Sequence, residues 1–426
     1  MKIFFSVGEP SGDLHGANLI RQMRQIHPDV QAVGYGGPRM AAAGCRLHED
    51  LTKLAVMWLV RVLLNIHRFW GLVSKADRYF RHQRPDAVVL IDYPGMNWWI
   101  ARRAKAHGIP VFYYGTPQMW AWGGWRVKKM RRLVDHVLCK LPFEVEWFHQ
   151  RGCRATFVGH PYFDELRQAT LDESFVRQQQ GRAGRLVTIL PGSRVQEVVK
   201  NLPWFLRAAR RLQQTVPDVR FAVASFNEQQ AEIARRLAAG STTKVEIHCG
   251  KTTELIHLAH CCMACSGSVS LELLYHQKPS VIQYRINWAF YYFIHVFFRL
   301  LQIRVKYITL VNMLGDEPFT ERLRPFDPLA ADANKAIFPE FTTCTDKTEW
   351  IVHYLAEWLT DPQAYAHRVA RLADLKAEVA HGGASVTAAR YILDQLGQRA
   401  RIVPRPHFLP ATADRRVLVR TGMVDN

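Results

Sequence analysis

Short apolar runs alternate with helical patterns through the first part of the chain. Asp86–Ile91 (DAVVLI) is a nearly continuous apolar run, which is typical of a parallel strand buried on both faces. Strands that alternate with helices in this way predict a doubly wound parallel sheet. The predicted strands are Lys2–Val7, Val30–Tyr35, Asp86–Ile91, Val111–Tyr114, Val134–Lys140 and Ala155–Val158, and the predicted helices are Leu14–Ile26 and Trp98–His107.

The alternation pauses at Gly159–Pro161 (GHP) and then restarts with a second set of strands and helices. The sequence therefore predicts two Rossmann-like α/β domains that are followed by helices. The predicted division is a domain over 1–165, a domain over 175–365, closing helices over 366–397 and a polar tail over 398–426. The predicted strands of the second domain are Leu186–Leu190, Arg220–Ser225, Val245–His248, His260–Cys265 and Pro279–Tyr284, and the helices are Trp204–Thr215, 347–360 and 363–397.

Composition adds a constraint on partners. The chain has 426 residues, 48% of them hydrophobic, which agrees with more than one hydrophobic core. Its 56 Lys and Arg residues against 37 Asp and Glu residues give a formal net charge of +19. This surplus favours polyanionic partners such as nucleic acid, anionic lipid or phosphorylated substrates. No nucleic-acid-binding motif accompanies the charge, so no nucleic-acid partner is expected.

Export and metal binding are not expected. The apolar run before Gly8 is too short for a secretory signal, and no apolar stretch reaches the length of a membrane-spanning helix. Eight scattered cysteines then predict reduced thiols in a cytoplasmic protein. Cys262-x-x-Cys265, with His257 and His260 nearby, resembles half of a zinc site. Because a second ligand pair is missing, buried strand cysteines are the preferred interpretation.

The turn Leu190–Arg194 (LPGSR) follows an apolar strand and precedes a helical stretch. The backbone N–H groups around Gly192 and Ser193, together with the positive end of a helix dipole, would form an anion site. The guanidinium of Arg194 can contact two phosphate oxygens. An ordinary strand–turn–helix connection with an exposed arginine is the alternative.

A second turn of this kind is Ser266-Gly267-Ser268, after the predicted strand that ends at Cys265. Glu272 lies one helical turn after Ser268, where its carboxylate could accept hydrogen bonds from ribose hydroxyls. The alternative is a serine N-cap with a solvent-facing glutamate. Two anion-binding turns in one domain favour a site for a nucleoside diphosphate. No D-x-D motif is present, so helix dipoles and arginine rather than a metal ion are expected to neutralise bound phosphates.

Carboxylates dominate the corresponding loops of the first domain. Gly8–Asp13 (GEPSGD) connects the first strand and helix, and the acidic Glu9 and Asp13 would repel a pyrophosphate. This loop therefore suits recognition of hydroxyl or amide groups. Asp92 ends a buried strand at the edge where ligands bind in open α/β sheets, so it could act as a general base. A helix N-cap is the alternative for Asp92.

Two aromatic and apolar segments, Leu54–Leu64 and Trp288–Leu301, are too short to span a membrane and lie near basic residues. Such segments are typical of elements that lie in a membrane interface, although core helices are the alternative. Five cations lie between residues 126 and 132, where they could contact lipid headgroups or form a solvated helix. These cations are Arg126, Lys128, Lys129, Arg131 and Arg132.

An ordered set of motifs resembles the lipid-A-disaccharide synthase family over roughly residues 1–395. The motifs are GEPSGD, GGPRM, LAVM, PQMWAW, LPFE, GHP, LPGSR and SGSVSLE, in this order. The resemblance implies a GT-B fold with two facing Rossmann-like domains. It also implies an inverting glycosyltransferase without a cofactor, which joins UDP-2,3-diacylglucosamine to 2,3-diacylglucosamine 1-phosphate and releases UDP. A peripheral location on the cytoplasmic face of the inner membrane is implied as well.

The resemblance assigns residues to the two substrates. Asp92 matches the candidate base for the acceptor hydroxyl, and Glu9 matches an essential glutamate that supports the base or contacts the acceptor. Ser11, Asp13 and Gln118 are expected on the acceptor side. The residues expected to bind the nucleotide sugar are Gly192, Ser193, Arg194, Ser266, Gly267, Ser268, Glu272, Asn312 and Glu340.

The chain departs from the family pattern in two places. Gly95-Met96-Asn97 replaces a D-F-N sequence, so a second carboxylate near Asp92 is missing. Either Glu321 or Glu340 is the family glutamate of the later region, and the P-E-F context favours Glu340. A UDP-N-acetylglucosamine epimerase-like isomerase, a NAD-dependent oxidoreductase and a non-catalytic lipid-binding relative are the alternatives. The missing GxGxxG motif disfavours the oxidoreductase.

Overall fold

The computed structural model describes residues 1–52, 66–121, 123–289, 291–293, 296, 306–316 and 326–402. These residues form two parallel β-sheets, of seven and six strands, and apolar clusters cover both faces of each sheet. The predicted α/β fold with two doubly wound sheets is confirmed. Leu54–Leu64, Glu321, most of Trp288–Leu301 and residues 403–426 lie outside the described residues.

The first sheet has the spatial order β3-β2-β1-β4-β5-β6-β7. Its strands are β1 (Lys2–Val7), β2 (Gln31–Gly36), β3 (Arg46–Asp50), β4 (Ala87–Ile91), β5 (Val111–Tyr114), β6 (His136–Cys139) and β7 (Ala155–Phe157). The helices of this part are α1 (Pro10–Ile26), α2 (Pro38–Ala42), α3 (Ile66–Gln83), α4 (Pro94–Ala106), α5 (Val127–Leu133) and α6 (Pro142–His149), with a 3-10 turn over Gly124–Arg126.

The second sheet has the spatial order β10-β9-β8-β11-β12-β13. Its strands are β8 (Arg185–Leu190), β9 (Val219–Ser225), β10 (Val245–Cys249), β11 (Cys261–Cys265), β12 (Ser280–Arg285) and β13 (Glu340–Thr343). The remaining helices are α7 (Pro161–Gln168), α8 (Glu173–Gln180), α9 (Val195–Thr215), α10 (Glu228–Ala239), α11 (Thr252–Leu258), α12 (Val269–Tyr275), α13 (Leu310–Gly315), α14 (Thr348–Thr360), α15 (Pro362–Val379) and α16 (Ala384–Ile402), with a 3-10 turn over Ala333–Lys335.

The central strands of each sheet are mostly apolar because both faces of the sheet are buried. On β1, Phe4 packs in one core with Val88 and Leu90, whereas its neighbour Phe5 packs in the opposite core with Val89. Successive side chains of a strand point to opposite faces, so apolar residues are favoured on both faces of these strands.

Two strands and several helix starts differ from the predictions. The edge strands β3 and β13 were not predicted, because Arg46–Asp50 and Glu340–Thr343 carry polar residues and lack an apolar run. Helices α1 and α4 begin earlier than predicted, at Pro10 and Pro94. Proline is well suited to the first helical position, because the N–H group that it lacks would have no carbonyl partner within the helix.

The helical stretch predicted over 363–397 is divided into α15 and α16. The Asp164 carboxylate accepts hydrogen bonds from the first N–H groups of α16, including Ala384 at 3.2 Å and Ser385 at 2.9 Å. Helix α16 then places Ala388 and Ile392 in the core of the first sheet. The last described helix therefore packs on the domain that begins the chain.

The two sheets present the carboxyl ends of their strands to one cleft. Strand register places Val7 beside Ile91 and Ile91 beside Tyr114, so the loops after β1, β4 and β5 begin at one edge. In the second sheet Leu190 pairs with Ala264, which aligns the two glycine-serine turns. A buried apolar cluster that includes Trp120 and Leu141 from the first domain and Tyr307 and Met313 from the second borders this cleft.

Candidate active site

Asp92 follows β4 in a constrained backbone conformation. Asp92 and Tyr93 both lie in the left-handed region, with φ of 45° and 43°. Such a conformation costs a non-glycine residue about 1–3 kcal/mol and needs support from its surroundings. The support is visible, because the Asp92 carbonyl accepts hydrogen bonds from Asn97 Nδ2 and from the Tyr113 hydroxyl, both at 2.7 Å. Asp92 is not the N-cap of α4, since Tyr93 takes that position.

Glu9 lies within electrostatic reach of Asp92. Burial raises the pKa of the Glu9 carboxyl, and the negative charge of Asp92 raises it further, while Lys140 and Arg194 lower it. Arg194 belongs to the second domain, so its charge acts on Glu9 across the boundary between the two domains. Lys140 Nζ lies 3.4 Å from Asp92 Oδ1. No motif had indicated Lys140.

The other residues expected on the acceptor side have different environments. Ser11 is exposed in the first turn of α1, and Gln118 is exposed in the loop after β5. Asp13 is buried, and its carboxylate accepts hydrogen bonds from the N–H groups of Gly37, Arg39 and Met40 at 2.8, 3.0 and 3.1 Å. Asp13 therefore connects α1 to the start of α2, and an acceptor contact for it stays a prediction.

A cavity of about 550 Å³ lies at the carboxyl edge of the second sheet. It is lined by most of the residues expected to bind the nucleotide sugar, namely Gly192, Ser193, Arg194, Ser266, Gly267, Ser268 and Glu272. Tyr162 and Phe226, which the motifs did not indicate, line it as well, and Phe226 is 69% exposed. The two turns thus form one pocket of a size that suits a small ligand.

The LPGSR turn differs from the predicted anion site in one respect. The Glu197 carboxylate accepts hydrogen bonds from Ser193 N at 2.9 Å and Arg194 N at 3.1 Å, so these two N–H groups already have partners. This arrangement is a capping box, in which the third residue of a helix closes its own N-terminus. At Gly192 a Cβ atom would lie 2.4 Å from Glu197 Cβ, which explains the glycine. The Arg194 side chain remains 81% exposed toward the cavity.

Glu272 is buried rather than solvent-facing. Its Oε2 accepts a hydrogen bond from the Tyr162 hydroxyl at 2.9 Å, and burial raises the pKa of its carboxyl. Tyr162 lies in α7, at the connection between the domains, so this contact ties the connection to the cavity floor.

Two buried amides, which motif analysis missed, fix the turns. Asn201 Nδ2 donates to the Pro191 carbonyl at 3.2 Å and to Cys265 Sγ at 3.3 Å, while its Oδ1 accepts from Arg285 N at 3.0 Å. Gln230 Nε2 donates to the Ser193 carbonyl at 2.6 Å. Asn201 could have been found from the sequence, because it is a polar residue on the apolar face of a helix.

Asn312 and Glu340 lie away from the cavity lining. Asn312 Nδ2 donates to Glu340 Oε2 at 2.9 Å and to the Phe338 carbonyl at 2.8 Å. The Glu340 carboxylate also accepts the N–H groups of Ile308 and Thr309 at 2.8 and 2.9 Å. The pair fastens β13 to α13, and a donor contact for either residue stays a prediction.

The family model for Lipid-A-disaccharide synthetase matches residues 3–328 of the chain. The chain belongs to this family. The lipid-A-disaccharide synthase of Geobacter sulfurreducens is 33% identical over 405 residues, which cover 93% of this chain and 98% of the relative. The synthase of Coxiella burnetii is 32% identical over 323 residues, which cover 75% of this chain and 84% of the relative.

Similarity to solved structures confirms the GT-B fold of this lipid-A-disaccharide synthetase family member. The co-structure of S. aureus MnaA with UDP has a TM-score of 0.61 at 12% identity, covering 95% of this chain and 98% of that one. Acinetobacter baumannii MurG has a TM-score of 0.52 at 12% identity, covering 93% and 99%. At this identity the likeness concerns the fold alone.

The described part of the chain was compared with the requirements of a metal site and of a membrane-spanning helix. Within it, no group of three or more His, Cys, Asp and Glu side chains could hold a metal ion. Cys262 and Cys265 are both buried free cysteines on β11. Among the same described residues, no helix of the chain is both long enough and apolar enough to cross a bilayer.

Proposed function

We propose that this chain transfers 2,3-diacylglucosamine from UDP to the primary hydroxyl of 2,3-diacylglucosamine 1-phosphate. The products are the lipid A disaccharide 1-phosphate and UDP. Family membership supports the reaction. One observation supports the assignment of roles. Arg194, which lines the cavity of the second domain, acts electrostatically on Glu9, which in turn is affected by Asp92 of the first domain.

The donor nucleotide occupies the cavity of the second domain. The Glu272 carboxylate accepts hydrogen bonds from the ribose hydroxyls, and the exposed Phe226 ring offers an apolar face to the base. Since Glu197 uses the N–H groups of Ser193 and Arg194, the diphosphate relies on the Arg194 guanidinium and on the turn Ser266–Ser268. Neutralising the leaving diphosphate in this way lowers the barrier to its departure.

Asp92 acts as the general base. The acceptor oxygen attacks the anomeric carbon of the donor from the face opposite the diphosphate, and the hydroxyl proton moves to the Asp92 carboxylate. The bond between the anomeric carbon and the phosphate oxygen breaks, UDP leaves with the electron pair, and the anomeric configuration inverts. Burial and the charge of Asp92 raise the pKa of Glu9, and Glu9 contacts the acceptor beside Asp92.

The substrates are lipids, and we place the enzyme at the cytoplasmic, anionic surface of the inner membrane. Trp288, Tyr292 and Phe293 expose 70, 61 and 60% of their surface. Exposed aromatic side chains of this kind favour the interfacial zone of a bilayer. Helix α5 adds basic side chains that would contact anionic headgroups. Peripheral binding of this kind needs no spanning helix.

The direct test incubates the full chain with both acylated substrates in mixed micelles and follows UDP release and product mass. We expect UDP and the disaccharide in equal amounts. An acceptor whose primary hydroxyl is replaced by hydrogen is the matched control and should give neither. Failure to form disaccharide with the intact acceptor, or conversion of UDP-N-acetylglucosamine to an epimer, would contradict the proposal.

A further inference from the structure

Lys140 contacts the carboxylate proposed to act as the base. It follows β6, and its Nζ lies 3.4 Å from Asp92 Oδ1 across the end of the intervening strand β5. The two side chains are 19% and 21% exposed. An ion pair that is four-fifths buried is screened less than a surface pair, so its charge acts strongly on its neighbours.

The backbone that carries Lys140 is held in place. Its N–H donates to Glu144 Oε2 at 3.0 Å, and the N–H of Leu141 donates to the same oxygen at 3.1 Å. The other oxygen of Glu144 accepts the Trp120 indole N–H at 2.9 Å. Because Glu144 lies in the first turn of α6, the start of that helix fixes the point from which Lys140 reaches the cleft.

Gly115, the residue after β5, leaves the space that the contact needs. A Cβ atom at this position would lie 3.1 Å from Asp92 Oδ1 and 3.2 Å from Lys140 Nζ. The backbone of Gly115 has φ of +70°, a conformation that side chains rarely adopt. The ends of three neighbouring strands thus combine to bring one ammonium group to one carboxylate.

Several charged groups surround the Asp92–Lys140 pair. Asp92 acts electrostatically on Glu9 and on the phenols of Tyr113 and Tyr114. Arg194 also acts on Glu9, and Arg126 acts on Tyr113. Lys140 acts on Glu9, and its Nζ contacts Asp92 directly at 3.4 Å, so it is placed to hold that carboxylate.

We propose that Lys140 is a positioning residue that orients the Asp92 carboxylate through Oδ1. Oδ2 then remains for the acceptor hydroxyl. During transfer the proton passes to Oδ2, and Lys140 keeps its own protons. The same contact distinguishes the two acidic residues, since Asp92 has the ammonium as a direct partner and Glu9 does not. This inference rests on the proposed function of the site.

The test compares Lys140→Met, Lys140→Arg and a control, Lys105→Met. Lys105 pairs with Asp135 at 2.6 Å in the same domain, with one-third of each side chain exposed, so it reproduces the loss of a Lys–Asp pair away from the cleft. For K140M we expect kcat at neutral pH to fall about 10- to 100-fold, with little change in the KM for the acceptor. K140R should recover most of the rate, and K105M should resemble the wild type.

A second measurement needs no turnover. Carbon-13 NMR of protein labelled at the Asp carboxyls, with the Asp92 signal assigned from Asp92→Asn, should show a changed chemical shift of the Asp92 carboxyl in K140M and a wild-type shift in K105M. An unchanged Asp92 signal in K140M would overturn the role of Lys140, whether or not the chain makes the disaccharide. A raised acceptor KM with an unchanged kcat would overturn it too, since Lys140 would then bind the acceptor phosphate. If K140M does not fold, K140Q replaces it in both measurements.

Discussion

Replacing Arg194 with alanine should weaken UDP binding without affecting the fold. The Arg194 side chain is 81% exposed, and its contact with Glu197 Oε1 is 3.2 Å long. An exposed pair of this kind contributes about 0–1 kcal/mol to stability, so the free energy of unfolding should hardly change. Hydrogen bonds from a guanidinium to a diphosphate contribute about 1.5–3 kcal/mol, which corresponds to about a 10- to 150-fold increase in the Kd for UDP.

Calorimetric titration with two ligands tests the physical reason for this effect. UDP contains the diphosphate and uridine does not, so R194A should lose affinity for UDP and keep its affinity for uridine. Arg177→Ala is a matched control, because Arg177 is 72% exposed and pairs with Glu173 at 3.4 Å in the same domain. Unchanged UDP affinity in R194A, or an equal loss for uridine, would refute the assignment of Arg194 to the diphosphate.

Two further predictions concern stability and the membrane. Asn201→Ala leaves the Pro191 carbonyl and the Arg285 N–H without their partner. Denaturant unfolding should therefore show a free energy of unfolding lower by about 3 kcal/mol, and UDP binding should weaken. A decrease below about 1 kcal/mol would contradict this role of Asn201. The double change Trp288→Ser and Phe293→Ser should lower binding to anionic vesicles about 10-fold or more, because both side chains are exposed aromatics. Activity in detergent micelles should be kept. Unchanged sedimentation with vesicles would contradict the interfacial role of these residues.

The sequence predicted the parts of the fold that depend on local patterns. Burial on both faces makes strands such as Ala87–Ile91 continuously apolar, so they could be recognised without knowledge of their neighbours. The edge strand Glu340–Thr343 has a weaker pattern and was missed. The return of Ala384–Ile402 to the first sheet depends on the Asp164 cap, a contact between residues more than two hundred positions apart, which no local pattern encodes.

The same distinction applies to the site. The loops that carry Asp92, Arg194 and Ser266–Ser268 follow apolar strands and were therefore predicted, and the cavity brings the two donor turns together. The contact of Lys140 with Asp92 requires the order of β4, β5 and β6 in space, which topology fixes and the sequence alone does not. The sequence could have predicted that Glu197 accepts hydrogen bonds from two N–H groups of the turn, since a glutamate three residues after an N-cap is a known capping pattern.

Product formation by Asp92→Asn tests the central claim most directly. In a single turnover with both acylated substrates, the rate should fall more than about 100-fold, because asparagine keeps the size of the side chain and cannot accept the hydroxyl proton. The Kd for UDP should stay at the wild-type value, since Asp92 lies on the acceptor side of the cleft. A disaccharide yield close to that of the wild type would contradict the assignment of Asp92 as the base.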